Sequence, residues 1–314
     1  MYDVAILGGG PAAMTAALYA ARKKLKSLLI AKEIGGQMVL TSEIENYIGF
    51  QHITGIELSE RFEKHMSQFK EVDKQIDETA IGIETKEKCF EIATDKGKKY
   101  QAKTVIIATG KRWRPLGVPG ESELAGRGIA YCATCDAPLY GGQEVAVIGG
   151  GNSAIQAVID LLPIASKISV VNVATEWQAD PILLEKIKIP EKVVPYLGWE
   201  VLRVLGEKQV LGMVIRNRET GEEKEIPLEG IFIEIGLIPN SECAKGFVNL
   251  NKHGEVIVDC FSRTNVPGIF GAGDVTTVSA KQIIVAAGEG AKAALSAYDY
   301  LIMKGFWTER ACST

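Results

Sequence analysis

At 314 residues the chain has room for two domains, and a 46% hydrophobic content with a mean hydropathy of +0.08 gives each one material for a core. A net charge of −4 carries no nucleic-acid signature, and no apolar run reaches the length of a membrane span. The opening Met1-Tyr2-Asp3-Val4 meets glycines too early for an export signal. Six cysteines with one close pair therefore read as a cytoplasmic chain whose pair is a working disulfide, not a staple.

Val4-Ala5-Ile6-Leu7 predicts a strand entering Gly8-Gly9-Gly10-Pro11-Ala12-Ala13, and an alanine-rich helical pattern runs from Met14 to Arg22. This is strand, turn and helix with a G-x-G-x-x-A fingerprint. Its first glycine turns the chain, the second admits a pyrophosphate, and the small third residue brings helix and strand together. The helix N-terminus adds N–H groups and a favourable dipole. Leu28-Leu29-Ile30 predicts the next strand, and Glu33 near its end reads either as a ribose acceptor or as a solvated loop carboxylate. Gly35-Gly36-Gln37 and Glu45 to Phe50 predict loops able to wrap an extended cofactor. Glu57 to Phe69 predicts an amphipathic helix. Residues 76 to 107 predict short strands of a β excursion, ending in Val105-Ile106-Ile107-Ala108-Thr109-Gly110.

Lys111 to Pro115 begins a crossing to a second unit, and Tyr131-Cys132-Ala133-Thr134-Cys135-Asp136 follows. Two thiols two residues apart close a small disulfide ring with little rearrangement, which suits exchange chemistry. A zinc site would need a second Cys/His pair at comparable spacing, and the sequence has none. Val145 to Ala154 then repeats the N-terminal pattern at an offset of 141, with three glycines at Gly149-Gly150-Gly151 and coincident Val4/Val145, Ala13/Ala154 and Ala16/Ala157. Such a repeat predicts two dinucleotide-type domains.

The strand Ile168 to Val171 ends at Asn172. NAD would call for an acid there and NADP for arginines nearby, but Asn172-Val173-Ala174-Thr175-Glu176-Trp177-Gln178 offers neither at the strand end. The second glycine turn is therefore expected to serve packing, with its nucleotide site weakened or lost. Later strands are predicted at Glu200–Leu205, Val210–Arg216 and Gly230–Gly236. Gly271-Ala272-Gly273-Asp274 would aim a carboxylate at a hydroxylated chain or cap a helix, and Lys281-Gln282 opens a helix to about Met303.

In order and spacing, Gly8-x-Gly10, Gly35-Gly36-Gln37, Glu45-Asn46-Tyr47, Ala108-Thr109-Gly110, Cys132-Ala133-Thr134-Cys135-Asp136 and Gly271 to Asp274 resemble the low-molecular-weight thioredoxin reductases over nearly the whole chain. From Leu228 to Leu301 the chain also resembles the reductase portion of the flavoprotein component of alkyl hydroperoxide reductase, without that component's thioredoxin-like N-terminal extension. The resemblance implies an α/β fold of two Rossmann-like domains, the second inserted in the first. Residues 1–114 and 246–314 would bind FAD, and 115–245 would carry the Cys-x-x-Cys. It assigns cofactor binding to Gly8, Gly10, Pro11, Ala12, Glu33, Gly36, Gln37, Asn46, Ala108, Thr109, Gly110, Gly273, Asp274, Lys281 and Gln282. Catalysis falls to Cys132, Cys135 and Asp136.

Two departures stand out. The family's arginine-rich NADPH motif falls on Asn172, Val173, Ala174 and Gln178, with every arginine missing, and Ala137 replaces the glycine after Asp136. The expected donor is therefore reduced ferredoxin, as in flavin thioredoxin reductases, with NADPH or NADH as the alternative and a flavin redox sensor as the non-enzymatic one. By family analogy Cys135 faces the flavin, Cys132 attacks thioredoxin or a thioredoxin-like partner, and Asp136 handles the proton. One dithiol cannot meet both at once, so a rotation is expected on hinges near 114–118 and 243–247. An acidic ferredoxin would dock on Arg22, Lys23, Lys24 and Lys26 or on Lys111, Arg112 and Arg114, unless these are ordinary helix-end and loop charges. Relatives of this kind imply a homodimer. Phe306 or Trp307 would cover the flavin, or fray.

Overall fold

A computed structural model describes residues 1–41, 44–187 and 191–305. In chain order, β1 (Tyr2–Leu7), α1 (Pro11–Arg22), β2 (Ser27–Ala31), α2 (Gly55–Met66), β3 (Val72–Ile76), β4 (Ala80–Thr85), β5 (Phe90–Thr94) and β6 (Lys99–Ile107) build a first unit, and β7 (Lys111–Trp113) leads out of it. A second unit holds α3 (Glu121–Leu124), β8 (Ile129–Ala130), α4 (Ala133–Asp136), β9 (Glu144–Ile148), α5 (Asn152–Leu161), β10 (Lys167–Asn172), α6 (Pro181–Lys186), β11 (Val193–Leu197), β12 (Trp199–Leu205), β13 (Gly212–Asn217), β14 (Glu223–Pro227) and β15 (Gly230–Ile233). The chain returns along β16 (Leu237–Pro239) and completes the first unit with β17 (Ile269–Gly271) and α7 (Ile283–Met303).

The units divide at Arg112/Trp113 and Leu237/Ile238, so the second crossing comes earlier than residue 246. The reason is packing: Cys243, Ala244 and Val248 already lie in the first unit's core with Ala5, Leu7 and Val105.

The first unit's sheet runs β3-β2-β1-β6-β5-β4, with β17 on the other flank of β6. β1, β2, β3, β6 and β17 pair in parallel, while β4 and β5 form the antiparallel excursion. Alternation along β1 distributes its side chains between two layers. Val4 and Ile6 pack with Ala13, Ala17, Ala293 and Ala297 of α1 and α7, and Ala5 and Leu7 with Ile83, Ile92 and Val256. Each large aliphatic side chain so buried contributes about 1.5–3 kcal/mol.

α1 and α7 are alanine-rich because they touch almost backbone to backbone. A Cβ on Gly290 would lie 2.0 Å from the Ala12 carbonyl oxygen. In α2, Thr54 Oγ1 accepts from Glu57 N–H at 3.2 Å and the Glu57 carboxylate accepts from Thr54 N–H at 3.1 Å. This capping box starts the helix at Gly55, before the Glu57 expected from periodicity.

The second unit repeats the plan with the parallel sheet β11-β10-β9-β15-β8 and the antiparallel sheet β12-β13-β14. Val145 and Val147 face α5, whereas Ala146 and Ile148 face Met213, Ile215 and Ile226. Both units thus bring their glycine turns to the carboxyl ends of parallel strands, where open α/β sheets bind ligands. Among the described residues no helix is long and apolar enough to cross a membrane.

Candidate redox and dinucleotide sites

In the first unit, Gly8 has φ +124°, and a Cβ there would lie 2.2 Å from the Ala108 carbonyl oxygen, so only glycine turns the chain this close to β6. Gly9 accepts from Gly35 N–H at 2.8 Å, and a Cβ on Gly9 would lie 2.0 Å from the Glu33 carbonyl oxygen. Gly10 differs from both. Its backbone is extended, at φ −80° and ψ −175°, and its Cβ position is empty to 4 Å. The chain itself does not require a glycine there, whereas a pyrophosphate lying on the α1 N-terminus would.

Around that opening stand most of the residues singled out in the sequence. Pro11 and Ala12 begin α1; Glu33 is exposed at the end of β2; Gly36 lies with its Cβ position 3.1 Å from Gly10 Cα. Asn46 Nδ2 donates to Gln282 Oε1 at 3.2 Å, joining two loops far apart in sequence. Gln37 donates to the Lys111 carbonyl, and Asn240 Nδ2 donates to the Thr109 carbonyl at 2.9 Å. Gly110 takes φ +69° beside it. Gly273, at φ +71°, abuts Ala12, with Cβ positions 2.9 Å apart.

A charged cluster that sequence reasoning missed closes this side. Lys111 Nζ pairs with Glu255, as does Lys281 Nζ at 3.5 Å, and Lys281 Nζ also donates to the Thr276 carbonyl at 2.7 Å. Burial raises the Glu255 carboxyl, but bonds from Lys111 and Asn251 outweigh it and leave it low. Asp274 is raised by burial, against the pull of Lys281 and Lys111, and burial lowers the Lys281 ammonium. The cap position of the Asp274 turn is Ala272 and that of α7 is Gln282, so Asp274 caps neither helix. Lys111 is thus an internal partner with a 9% exposed side chain, not a surface docking charge. Arg112 and Lys24 stay at the surface, where Arg112 reaches Glu242 at 2.9 Å and Lys24 reaches Glu71 at 2.8 Å.

The second unit's turn is built the same way. Gly149 has φ +134° and a Cβ position 2.4 Å from the Glu234 carbonyl oxygen; Gly150 accepts from Gln178 N–H at 2.8 Å. Gly151 is extended, at φ −89° and ψ −175°, with its Cβ position empty to 4 Å. Packing alone does not require that third glycine, so the expectation of a turn kept only for packing does not account for it. Asn172 is 4% exposed, and its Nδ2 donates to the Glu176 carbonyl at 3.0 Å and to Gln178 Oε1 at 3.1 Å. Its amide therefore holds the loop that follows β10.

Cys132 and Cys135 form a disulfide across the single turn of α4, with Cα atoms 5.3 Å apart. Cys135 N–H donates to the Cys132 carbonyl at 3.2 Å and Asp136 N–H to the same oxygen at 3.0 Å, so the turn itself sets the ring. Asp136 is buried enough to be pushed up to about 6, and burial together with Asp136 pushes Tyr140 up to about 12. Ahead of the pair, the buried Glu121 accepts from Leu116 N–H at 3.0 Å, Gly117 N–H at 2.7 Å and Tyr131 Oη at 2.9 Å. Glu121 went unnoticed in the sequence, because nothing local pairs it with Tyr131. Glu234 went unnoticed too: its carboxyl accepts from Ala133 N–H at 3.4 Å, next to Cys132. Phe306 and Trp307 lie outside the described residues.

The pyridine nucleotide-disulphide oxidoreductase family matches residues 2–290. The chain is 44% identical over 301 residues to the F component of alkyl hydroperoxide reductase from Staphylococcus aureus, covering 96% of this chain and 59% of that protein. It is 42% identical to a Bacillus subtilis protein called NADH dehydrogenase, with the same coverage. It thus spans about three fifths of the length of these relatives. Among solved structures, thioredoxin reductase from Streptococcus pyogenes superposes with a TM-score of 0.90 at 38% identity, over 96% of this chain and 99% of that one. The open Gly10 at the α1 N-terminus suits the pyrophosphate of FAD. The chain therefore belongs to the pyridine nucleotide-disulphide oxidoreductase family, with two Rossmann-like units and FAD as its cofactor.

Proposed function

We propose that this chain reduces the disulfide of a thioredoxin or thioredoxin-like protein through Cys132–Cys135, drawing its electrons from NADH. The observation that carries the reading is the disulfide at the start of α4, followed at once by the buried carboxyl of Asp136, within a dinucleotide-type unit. FAD, when bound, supplies the electron pair. Gly8, Gly10, Pro11 and Ala12 would hold its pyrophosphate, Glu33 its ribose, and Gly36, Gln37, Asn46 and Gln282 would wrap it. Ala108, Thr109, Gly110, Gly273, Asp274 and Lys281 would line its other end. Cys135 is the sulfur that accepts electrons and Cys132 the one that attacks the partner, with Asp136 giving a proton to the leaving thiolate.

NADH is favoured as the donor because Gly151 keeps an opening at the α5 N-terminus that the fold does not need, and the run Asn172 to Gln178 holds no arginine for a 2′-phosphate. Arg218, the arginine that reaches this loop, is held on the Val173 carbonyl at 3.4 Å. The Bacillus relative's name points the same way. Reduced ferredoxin is the second reading, favoured by Asn172, whose amide is spent on its own loop. The comparisons lend ferredoxin no support, and Lys111, one of its expected docking charges, is buried against Glu255. Mixing the oxidised protein anaerobically with NADH, NADPH or reduced ferredoxin decides among them: bleaching of the flavin by NADH alone is expected. Bleaching only by ferredoxin overturns the donor assignment. Cys135→Ser should lose partner reduction by on the order of a thousandfold or more while keeping its flavin; retained turnover would refute the sulfur assignment. A homodimer is the proposed assembly, to be checked by sedimentation.

A further inference from the structure

The two units correspond residue by residue beyond their glycine turns. Ala108 N–H donates to the Leu7 carbonyl at 2.8 Å, and Glu234 N–H donates to the Ile148 carbonyl at 2.8 Å. Gly8 presses on the carbonyl of Ala108 and Gly149 on that of Glu234. Ala108-Thr109-Gly110 and Glu234-Ile235-Gly236 are thus the same corner, and both glycines have positive φ, +69° and +98°. The first unit fills this corner with a methyl group and the second with a carboxyl. Nothing in the fold asks for a carboxyl there, since the first unit builds the same corner without one.

That carboxyl faces the disulfide turn. It accepts from Ala133 N–H, one peptide bond from Cys132, at the first residue of α4. Burial, with Asp160 adding to it and the Ala133 N–H opposing it, brings the Glu234 carboxyl up to about 7. Among ionisable groups, α4 offers Cys132, Cys135 and Asp136, the turn after it Tyr140, and α5 Asp160, whose carboxylate accepts from Gln156 at 2.8 Å. The neighbouring strands β8 and β9 end in the apolar Ala130 and Ile148.

We propose that Glu234 is a positioning residue that couples the disulfide to protons: its carboxyl takes up a proton when Cys132–Cys135 is reduced and releases it on reoxidation. The proposal rests on Cys132–Cys135 being the reducible pair. In the step, two electrons from the bound flavin break the S–S bond. One proton goes to a sulfur, the other sulfur remains a thiolate at the α4 turn, and the new negative charge draws a further proton onto the Glu234 carboxylate. Reoxidation by the partner's disulfide returns the electron pair and both protons. A carboxylate left charged beside that thiolate would oppose reduction, so reduction becomes harder as pH rises through the Glu234 range.

The test uses the flavin-loaded full chain, anaerobically, in dithiothreitol buffers from pH 6 to 9. The Cys132 and Cys135 thiols are alkylated and counted by peptide mass, and flavin absorbance is followed separately. Linkage makes each extra proton worth up to tenfold in the equilibrium constant per pH unit. The ratio of wild-type to Glu234→Gln constants is expected to fall by about tenfold between pH 6.5 and 8.5. Parallel curves would overturn the proposal. Should Glu234→Gln lose its flavin or its fold, the reduced-minus-oxidised infrared difference of the wild type decides. A protonated-carboxyl band gained on reduction, shifted in Glu234→Asp, supports it, and no such band overturns it. A pair that never yields two alkylatable thiols would instead sink the reading of Cys132–Cys135 itself.

Discussion

The two glycine turns share their backbone and differ in their side chains. Gly8 and Gly149 sit at φ +124° and +134°, and Gly10 and Gly151 at ψ −175° in both, each with an empty Cβ position. At the end of the next strand the first unit has an exposed acid, Glu33, and the second a buried amide, Asn172. At the corner after the central strands the first has Ala108 and the second Glu234. The second unit thus lacks an acid where a ribose would lie and has one where a disulfide lies. A duplicated turn is held to one shape by sterics, because close backbone approaches leave it no choice. Its chemistry moves with the side chains that those approaches do not touch.

The third glycine of each turn offers the sharpest way to break this comparison. Valine at position 10 or 151 fits the extended backbone and meets no protein atom within 4 Å of its Cβ, so neither change should unfold the chain. Gly10→Val should come out colourless, having lost FAD. Gly151→Val should stay yellow yet lose bleaching by NADH by at least about tenfold in KM, a cost of about 1.4 kcal/mol in binding. A Gly151→Val protein that responds to NADH like the wild type would mean that the second turn holds no nucleotide.

The second glycine separates the units by stability. A methyl on Gly9 would lie 2.0 Å from the Glu33 backbone oxygen, which cannot yield without moving the strand end, whereas one on Gly150 would meet the Asn172 side chain at 2.2 Å. Gly9→Ala is expected to cost about 3 kcal/mol and Gly150→Ala about 1 kcal/mol, read as denaturant midpoints. Equal losses would show that Asn172 is as fixed as backbone.

Much of this was legible in the sequence. The offset of 141 exposes two matching units because the alternation of β1 and the glycine approaches are both local constraints. The disulfide too is local, since four residues of one turn form it. What escaped depends on the corner where a chain returns from a long excursion. Glu234 and Ala108 correspond only once β15 and β6 are known to occupy the same place, although both are followed two residues later by glycine. Glu255 and Lys111 are 144 residues apart and meet through the sheet. The second crossing was expected too late because Cys243 and Ala244 carry no pattern announcing that they join the first core.

Asn172 supplies the next smaller effect. Its amide donates to the Glu176 carbonyl and to Gln178 Oε1, and a carboxylate could do neither. Asn172→Asp should therefore destabilise the oxidised protein by about 1–2 kcal/mol through an unmade bond and a buried charge, while giving NADH a ribose acceptor. Unchanged stability together with unchanged NADH response would remove Asn172 from both roles.

The smallest effect lies at the sulfur end and follows from Asp136. Burial raises its carboxyl from 3.8 to about 6 in the folded chain, so between those values the native state holds a proton that the unfolded state has released. Stability therefore falls as pH climbs through that window and levels off above about 6. Asp136→Asn removes the ionisation. The mutant should be equal to or less stable than wild type at pH 4 and gain on it by about 1 kcal/mol at pH 7, or about 2–4 °C in Tm. Glu234→Gln should show the same gain displaced to higher pH, because its carboxyl titrates near 7. If the gap between wild type and Asp136→Asn stays constant from pH 4 to pH 8, the acid beside the disulfide is hydrated like any surface carboxylate. The contrast between the two units would then end at the ribose position.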